Sequence, residues 1–483
     1  MDYTILFAFL LYVFVVMGFG LFKGWSTKST PKDFLNSNRD HRSILAGLSA
    51  SAACESGWVL LGLVGASYTS GLSTLFLLPG ALIGYILTWG VIGRRFCSLS
   101  AKADTTSTPQ TMGAMFPRHR SAIVLSAGLI VLVFMSVYVA AQFNASGKAF
   151  ESMLKIPYIV GVWLSMFFVL TYSVVGGTRS VSWTNVIQAS MMAFCLIVMP
   201  VVVLWQGRHF SDLLATLGRQ DKNLVSFFNG KTGGEALRLV AGWVFVGIAI
   251  PGMPHVLRRF IASRSEPSVI QQGGFVSIAW SQIIMCGAIV LGLAARAYQP
   301  DMQDAEDTLP TLAVALLPKI MAGFMLAGVW AAMSSTADAQ LVECVSAVTE
   351  DVGENLAKKK NENSPSGNDR KHLRLWTVAI AILTALLAST GNRNIFTLVL
   401  DAWNVLGAAL APPILFMLLY RKTSGAGVLS GILSGAISVF LWRYVIHGTW
   451  LSPLVIGFIV SSVLIVAVSI LFPDSTTAKS QEA

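Results

Sequence analysis

The sequence predicts an all-α membrane protein that crosses the bilayer about thirteen times. Hydrophobic residues make up 54% of the 483-residue chain and charged residues only 12%, and the mean hydropathy is +0.66. This composition is too apolar for a soluble protein of this length and is typical of a polytopic helical bundle. Two of the apolar segments are also interrupted by polar residues, glycine or proline, which indicates a transporter with broken helices.

Thirteen apolar runs approach the roughly 20 residues that a helix needs to span the hydrocarbon core. The run near 311–350 is expected to hold a short interfacial helix before a full span. The first run has no basic leader and no small-residue cleavage site, so we expect it to be retained as a helix. The runs lie near residues 3–23, 44–70, 73–93, 121–142, 158–176, 184–206, 237–257, 270–297, 311–350, 373–390, 395–420, 424–444 and 452–472.

The distribution of basic residues predicts the orientation. Lysine and arginine are concentrated in alternate loops, whereas the loop at 299–310, QPDMQDAEDTLP, is acidic. The positive-inside rule therefore places the N-terminus outside and the C-terminus inside the cell, in a multi-pass chain of the cytoplasmic (inner) membrane. Because the net charge of +10 is spread over short loops, we expect no nucleic-acid partner.

Several function classes are disfavoured by what the chain lacks. The stretches at 207–235 and 357–372 are too short to fold as catalytic domains, the second being a basic, flexible linker. No hydrolase motif or phosphate loop occurs in a supporting context, and the five cysteines have no CxxC spacing. We therefore predict no enzyme, no cofactor and no obligate protein partner, only a solute, an ion and the lipid bilayer.

The segment Ala46 to Gly71 is the first candidate ion site. It has spanning length, but small and polar residues including Glu55 interrupt its first half. Such a run is typical of a broken helix that exposes backbone carbonyls at membrane depth. Far downstream, Ala331 to Gln340 carries consecutive hydroxyls and Asp338. Because hard cations are bound by oxygen, the two segments together could form an oxygen cage, although small hydroxyl residues also serve plain helix packing.

A second interrupted run, GWVFVGIAIPGMPHVL at 242–257, suggests an inverted repeat. Pro251 and Pro254 lack an N–H and must break the helix there. Five spans from 44 to 206 are followed by five from 237 to 420, and because five is odd the two halves would have opposite orientations. The predicted divisions are a first helix and loop (1–43), a first repeat (44–206), an outer loop (207–236), a second repeat (237–420) and two C-terminal helices with a short tail (421–483).

Five stretches of the chain resemble the sodium:solute symporter family, and within it the sodium/proline symporters. They are SGWVLLGLVG (56–65), GGTRSVSWTNVIQASMM (176–192), PHVLRRF (254–260), AAMSSTADAQLVECVSAVTED (331–351) and DAWNVLGAALAPP (401–413). The resemblance implies a five-plus-five inverted-repeat core of the broken-helix, LeuT-type class. It also implies secondary active transport of an organic solute with sodium.

The resemblance further implies the ligands of the main sodium site. They would be the carbonyls of Ala52 and Glu55 on the first core helix, with the Ala332 carbonyl and the hydroxyls of Ser335 and Thr336 on the eighth. Gating contacts are expected at Arg39 and Arg259 at the inner mouth. The residues expected beside the solute are Ser56, Gly57, Trp58, Tyr138, Ile250, Pro251 and Pro254.

Three positions depart from the family pattern and bear on coupling. Cys54 stands where the proline symporters have an aspartate, and Asn185 replaces the aspartate of the SWTD motif. Conversely, Asp338 stands where serine is common. One carboxylate has thus been exchanged between helices, so the number and identity of the coupling ions stay open.

The leading hypothesis is a sodium-driven symporter that imports a small solute, proline or a related amino acid first, by alternating access. A proton-coupled symporter that uses Glu55 or Asp338 is an alternative, because ionisable groups in apolar spans are rare and usually functional. A solute sensor that keeps the fold without turnover is the alternative from a different class.

Overall fold

The computed structural model describes residues 2–25, 31–207, 212–353, 355, 370–390, 394–447 and 451–474. Within these ranges every regular element is helical. The α-helices are α1 Tyr3–Trp25, α2 Pro31–Asn36, α3 Ser43–Cys54, α4 Val64–Ser70, α5 Leu77–Tyr85, α6 Arg94–Lys102, α7 Thr108–Ala114, α8 Arg120–Leu154, α9 Tyr158–Gly207, α10 Leu213–Gln220, α11 Gly233–Ile248, α12 Pro254–Ile261, α13 Pro267–Tyr298, α14 Thr308–Leu316, α15 Lys319–Ser346, α16 Arg370–Thr390, α17 Ile395–Leu419, α18 Gly425–Phe440 and α19 Pro453–Leu471.

Shorter turns of other helical geometry join these elements. The π-helical turns are Trp58–Leu63, Ile86–Gly93, Ala347–Gly353 and Leu441–Val445. The 3-10 turns are Ser37–Arg39, Gly71–Phe76, Lys222–Val225, Ile250–Gly252 and Ala305–Asp307.

Ten of the described helical stretches are long and apolar enough to cross a membrane, which confirms the multi-pass, all-helical fold. Two of them are long enough for two crossings, Trp58–Lys102 with 45 residues and Tyr158–Gly207 with 50. Each leaves helical geometry at a glycine with positive φ, Gly71 at 62° and Gly177 at 51°, where a side chain would be strained. The exact number of crossings, thirteen, stays a prediction.

Both predicted helix breaks are present. In the first run α3 ends at Cys54 and helical geometry resumes with the π-helical turn Trp58–Leu63. In the second, α11 ends at Ile248, the 3-10 turn Ile250–Gly252 follows, and Pro254 starts α12. The run at 311–350 likewise divides into α14 and α15 as predicted. Of the predicted linker at 357–372, only the first turn of α16 lies within the described residues.

The two broken runs pack in matching ways through closely approaching glycines. α3 packs on α13, where a side chain at Gly47 would collide with the Gly273 carbonyl. α11 packs on α5, where a side chain at Gly84 would collide with the Gly247 carbonyl. Small residues allow such close contact between membrane helices. Each broken helix thus contacts the element that follows the other one, as expected of an inverted repeat.

The central helix is α15, which packs against α1, α8 and α9. In the most apolar 18-residue part of the stretch Lys319–Gly353, 83% is buried inside the protein. A helix buried from lipid on nearly all sides can carry hydroxyl and carboxyl groups, because neighbouring helices supply their partners. The position of α15 therefore brings the Ser334–Asp338 segment against the first helix break.

Candidate ion and solute site

The break after Cys54 frees backbone carbonyls because the next amides donate elsewhere. The Gly57 amide donates to Gln142 Oε1 at 3.1 Å, and the Trp58 amide donates to Ser56 Oγ at 3.1 Å. The Val59 amide donates to the Ser56 carbonyl at 2.9 Å. The carbonyls at the end of α3 are therefore available to other partners, which is the property that an ion site at a broken helix needs.

Serine and threonine hydroxyls of α15 lie opposite these carbonyls. Ser335 Oγ is 2.8 Å from the Ala52 carbonyl oxygen and 3.0 Å from that of Ala332. Thr336 Oγ1 is fully buried and has no hydrogen-bond partner among the described residues. The Ser335 hydroxyl thus lies within hydrogen-bond distance of two other predicted sodium ligands, the carbonyls of Ala52 and Ala332. Thr336 is the next residue after Ser335, and Glu55 follows Ala52 by three residues. Oxygen atoms so grouped are the ligand type that hard cations prefer.

Two buried carboxylates lie near this group of oxygens, and each accepts a hydrogen bond from a tyrosine. Glu55 Oε1 accepts from the Tyr85 hydroxyl at 2.8 Å, and Asp338 Oδ2 accepts from the Tyr172 hydroxyl at 2.8 Å. Asp338 Oδ1 has no hydrogen-bond partner among the described residues. Asp338 is 0% exposed and Glu55 1%, so neither is solvated by bulk water.

A cavity adjoins the first break and contains the predicted solute residues Trp58, Tyr138 and Ile250 in its wall. Ser56 Oγ lies 3.3 Å from the Tyr138 hydroxyl, which ties the break to α8. Largely apolar side chains with a few polar groups are typical of small-molecule sites. The lining residues are Cys54, Glu55, Trp58, Leu77, Tyr138, Val246, Gly247, Ile250, Met285, Val399, Leu400 and Trp403.

Aromatic rings close one side of this cavity. Trp58 stacks on Phe396 with ring centroids 6.0 Å apart and an interplanar angle of 14°, and Tyr138 meets Trp403 edge to face at 6.3 Å. The Trp403 indole donates to the Val246 carbonyl at 2.9 Å. This bond ties α17 to the helix before the second break, where Pro251 and Pro254 end the regular ladder.

The 299–310 segment is hydrogen-bonded to the start of α17, next to the Phe396 ring. Glu306 accepts hydrogen bonds from the amides of Ile395 at 3.2 Å and Phe396 at 2.8 Å. Lys148 on α8 lies 2.7 Å from Glu306 and 2.8 Å from Asp304. A carboxylate at a helix N-terminus is favoured by the helix dipole, so this ion-paired group fixes the helix end that carries Phe396.

Asn185 lies between the ion-site segments and Arg259. In the amide orientation that gives both ends partners, Asn185 donates to Gln188 Oε1 at 3.0 Å and accepts from Arg259 Nη2 at 3.2 Å. The other guanidinium nitrogen of Arg259 donates to Ser182 Oγ at 2.7 Å. Arg259 is 1% exposed, so α12 is joined to α9 by a buried charge with polar partners.

Arg39 and Arg258 lie at one end of the bundle, together with the 100–111 segment. We call this end the basic face. Arg39 donates to the carbonyls of Ile261 at 2.9 Å and Thr105 at 2.9 Å. Arg258 forms a buried ion pair with Glu343, with Nη2 and Oε2 3.0 Å apart. Arg39, one of the two predicted gating residues, thus contacts elements that must separate if this face opens. Arg259, the other, is buried between α12 and α9.

Sequence reasoning missed three residues that hold the site together. Gln142 caps the second half of the broken helix, Tyr85 holds Glu55, and Trp403 forms the cavity wall. Gln142 carried a signal, because it is a polar residue one helical turn from Tyr138 in an otherwise apolar run, at the spacing of neighbours on one helix face. Tyr85 and Trp403 carried none, since aromatic residues are ordinary in membrane helices.

Comparison with known proteins decides the family. The model of the "Sodium:solute symporter family" matches residues 34–435. The chain belongs to this family. It is 29% identical to the sodium/proline symporter of Escherichia coli over 96% of this chain and 92% of the relative. It is 30% identical to the high-affinity proline transporter PutP of Bacillus subtilis over 91% of this chain and 92% of that one.

Solved structures show the same fold. A Na+-coupled sialic acid symporter in a substrate-bound outward-open state matches with a TM-score of 0.82 at 20% identity, over 98% of this chain and 99% of the other. The nucleobase-cation-symport-1 family transporter MHP1 matches with a TM-score of 0.55 at 13% identity, over 93% and 98%. The predicted family and LeuT-type fold class are thereby confirmed.

Family membership establishes the class of activity. The protein is a sodium-driven symporter that imports a solute, and it is a transporter rather than an enzyme. Sodium is accordingly a transported substrate of the chain, and its helices place the protein in a membrane as a multi-pass component.

Proposed function

We propose that the solute is proline or a closely related amino acid and that it binds in the cavity beside the first helix break. The observation that carries this proposal is the similarity of nearly the whole chain to relatives that are named as proline symporters or transporters. The cavity wall supports it, because Trp58, Tyr138 and Trp403 offer apolar surface to a pyrrolidine ring. The cavity has a volume of about 20 Å³ in this structure, so it must widen to admit the solute. The solute carboxylate would be met by amides at a half-helix N-terminus, where the helix dipole favours negative charge.

The proposed sodium site comprises the carbonyls of Ala52, Glu55 and Ala332 and the hydroxyls of Ser335 and Thr336. The short distances from Ser335 to Ala52 and Ala332 support this assignment. Sodium there would join α3 to α15 and fix the break whose next residues border the solute cavity. Solute and sodium would then raise each other's affinity by reciprocal linkage.

The same proposal includes the orientation and the repeat boundaries. The basic face would lie in the cytoplasm of the cell and the acidic 299–310 segment outside, with the N-terminus out and the C-terminus in. Residues 44–206 and 237–420 would form the two halves that rock against each other, between the first helix and loop (1–43), the outer loop (207–236) and the C-terminal helices (421–483). The matching packing of α3 on α13 and α11 on α5 supports this division.

The test is uptake of radiolabelled proline into proteoliposomes that contain only this protein. An inward sodium gradient, an inward proton gradient and no gradient are compared at the same membrane potential. We expect accumulation with sodium alone, because one positive charge moved inward gains about 2.3 kcal/mol per 100 mV, enough for a roughly fifty-fold gradient. Absence of proline uptake under every gradient would remove proline as the solute and leave the family membership intact.

The ion site is tested separately with the Ser335→Ala/Thr336→Ala variant. We expect the sodium concentration for half-maximal uptake to rise by about tenfold or more, because each neutral ligand lost removes about 0.5–1.5 kcal/mol. Thr349→Ala is the matched control, since the Thr349 hydroxyl donates to the Val345 carbonyl one turn earlier, at 2.8 Å, and to no other group within the part of the chain that the structure describes. Equal sodium dependence in the variant and the control would refute the site assignment.

Proton coupling stays the second candidate because Glu55 lies in the cavity wall and is buried. Buried carboxylates at membrane depth are typical of proton relays. If protons drive transport, uptake persists without sodium and stops with an uncoupler, and the Glu55→Gln variant loses the response to the proton gradient. Sodium-driven uptake in that variant would instead make Glu55 a structural residue.

A further inference from the structure

A second, larger cavity lies at the basic face, away from the ion and solute site. Its volume is about 650 Å³, and it is bounded by the end of α1, the start of α3, the part of α9 that follows the Gly177 bend, and α13. This volume is within the roughly 300–1,000 Å³ of small-molecule sites. None of its lining residues belongs to the proposed ion, solute or gating residues.

Cationic side chains dominate the charge of this cavity. Lys23, Arg42 and Arg179 line it, and Asp40 is the one carboxylate among its described lining residues. Asp40 is already paired with Arg264, at 2.5 Å. Arg264, with smaller contributions from Arg179 and Arg42, therefore lowers the pKa of Asp40. The cavity thus keeps an excess of positive charge.

The two arginines that belong to the cavity are available to a ligand. Within the described part of the chain, neither the Arg42 nor the Arg179 guanidinium makes a hydrogen bond or an ion pair. A guanidinium presents a fork of donors that matches the oxygens of a phosphate group. Lys23 lies 4.4 Å from the Trp183 ring centroid, so its ammonium group is held at the same wall of the cavity.

A buried histidine provides an independent sign of an absent partner. His41 lines the cavity and is 2% exposed, and both its ring nitrogens lack a hydrogen-bond partner among the described residues. Burial, reinforced by Arg259, lowers the pKa of His41 to about 3, so the ring is neutral and carries one N–H donor. Buried polar groups nearly always have partners, so this ring lacks one. Its nitrogens have almost no accessible surface, so the ring must rotate toward the cavity before a ligand oxygen can bond to it.

The first turn of α3 opens beside the same residues. Arg42 is its N-cap and provides no side-chain cap, so the amides at this end lack an internal acceptor. The N-terminal end of a 12-residue helix is favourable for an anion, in addition to the three cations and the unpaired imidazole. The cations, the histidine and the helix end therefore favour the same ligand chemistry, that of an oxyanion.

We propose that this cavity binds the phosphate headgroup of an anionic phospholipid from the adjoining membrane leaflet. The lipid source is favoured over a soluble anion by the apolar surface around the charges. Ile44 is 63% exposed at the cavity edge, and Trp183 and Val186 continue this surface along α9. Tryptophan beside Lys and Arg is typical of the level of lipid headgroups.

Binding there would join α1 and α9 to the start of α3. Because α3 also ends at the ion site, a lipid that holds its other end is placed to bias the position of the broken helix. The consequence for transport is a dependence of the transport rate on anionic lipid that does not change which solute or ion is carried.

The test measures lipid retention by native mass spectrometry and thermal unfolding of the full-length protein in detergent. Dioleoyl phosphatidylglycerol, dioleoyl phosphatidylcholine and inorganic phosphate are added separately, and phosphate is also added as a competitor. We expect one saturable phosphatidylglycerol molecule that raises the unfolding temperature, and no such effect from phosphatidylcholine. In the Arg42→Gln/Arg179→Gln variant, phosphatidylglycerol affinity should fall by about tenfold or more, because each basic residue near the headgroups contributes to the attraction.

The control is Arg421→Gln/Lys422→Gln, which removes two exposed cations from another loop and should bind like the parent. If the double cavity variant does not fold, Arg42→Gln alone serves, because Arg42 is exposed. Equal retention of both lipids, or equal phosphatidylglycerol affinity in the cavity variant and the control, would overturn the proposal. Displacement of the lipid by inorganic phosphate, with the same thermal protection by phosphate alone, would also overturn it in favour of a soluble anion.

Discussion

The buried pair of Arg258 and Glu343 makes a specific prediction about closure of the basic face. Arg258 is 2% exposed and Glu343 1%, and the same guanidinium donates to the carbonyls of Leu35 at 2.8 Å and Thr106 at 3.0 Å. Arg258 on α12 thereby joins α15 to α2 and to the segment before α7. These elements must separate if the solute is to leave through this face.

The Glu343→Gln variant leaves the Arg258 charge buried without its counter-ion while this face is closed. Breaking a buried pair from one side costs about 3–5 kcal/mol, and opening relieves that cost because water can then solvate Arg258. The equilibrium should therefore shift toward the open face by about 150-fold to 5,000-fold. Replacing both partners, as Arg258→Gln/Glu343→Gln, removes the uncompensated charge and should return the equilibrium most of the way to that of the parent.

Alkylation of Cys54 reports this equilibrium. Cys54 lines the solute cavity, and the other four cysteines can be replaced so that it is the only target. A membrane-impermeant maleimide applied to the basic face should label Glu343→Gln much faster than the parent, and the double variant only slightly faster. Labelling of Glu343→Gln at the parental rate, or equally fast labelling of the double variant, would refute the role of the ion pair in closure.

Two further predictions test the packing and the coupling residues. Gly84→Ala should lower the membrane yield and the unfolding temperature, because the new methyl group collides with the Gly247 carbonyl and overpacking costs about 1–3 kcal/mol. Gly90→Ala is the control, because the nearest atom to its new methyl group would belong to Ile86, at 3.9 Å. Asn185→Asp should steepen the sodium dependence of uptake, since it restores a carboxylate close to Ser335; an unchanged Hill slope would show that this position binds no additional sodium.

The sequence was sufficient for the architecture because the signals for it are strong and local. Apolar runs of spanning length predict membrane helices regardless of their neighbours. Pro251 and Pro254 forbid a continuous helix by covalent structure alone, and the second break lies where they predict it. The short helix before α15 was predicted for the same reason, since the 311–350 run is too long for one crossing.

The site was predictable only in part, because its contacts join residues far apart in the chain. Ser335 and Ala52 were predicted as neighbours through oxygen chemistry and the family resemblance, and they lie within hydrogen-bond distance. The bond from Tyr85 to Glu55 had no local signal, since it depends on how α5 packs against the break. The charges of Arg42 and Arg179 appeared in the sequence only as orientation signals, and their convergence on one cavity follows from the bend of α9 at Gly177.

The proposed ion and solute sites share the backbone of the first helix break, so one short segment could couple the ion to the solute. The Ala52 carbonyl accepts a hydrogen bond from Ser335 on α15. Glu55, three residues after Ala52, lies in the wall of the proposed solute cavity. An ion bound at the proposed sodium site would therefore restrain the same backbone that borders the proposed solute cavity, without any longer path between the two. Gln142 fixes the second half of the helix from α8 through the Gly57 amide. The Gln142→Ala variant should consequently weaken sodium and solute affinity by a similar factor, because both ligands require the same ordered conformation of the break and its population would fall. Loss of solute affinity with unchanged sodium affinity would place the coupling elsewhere.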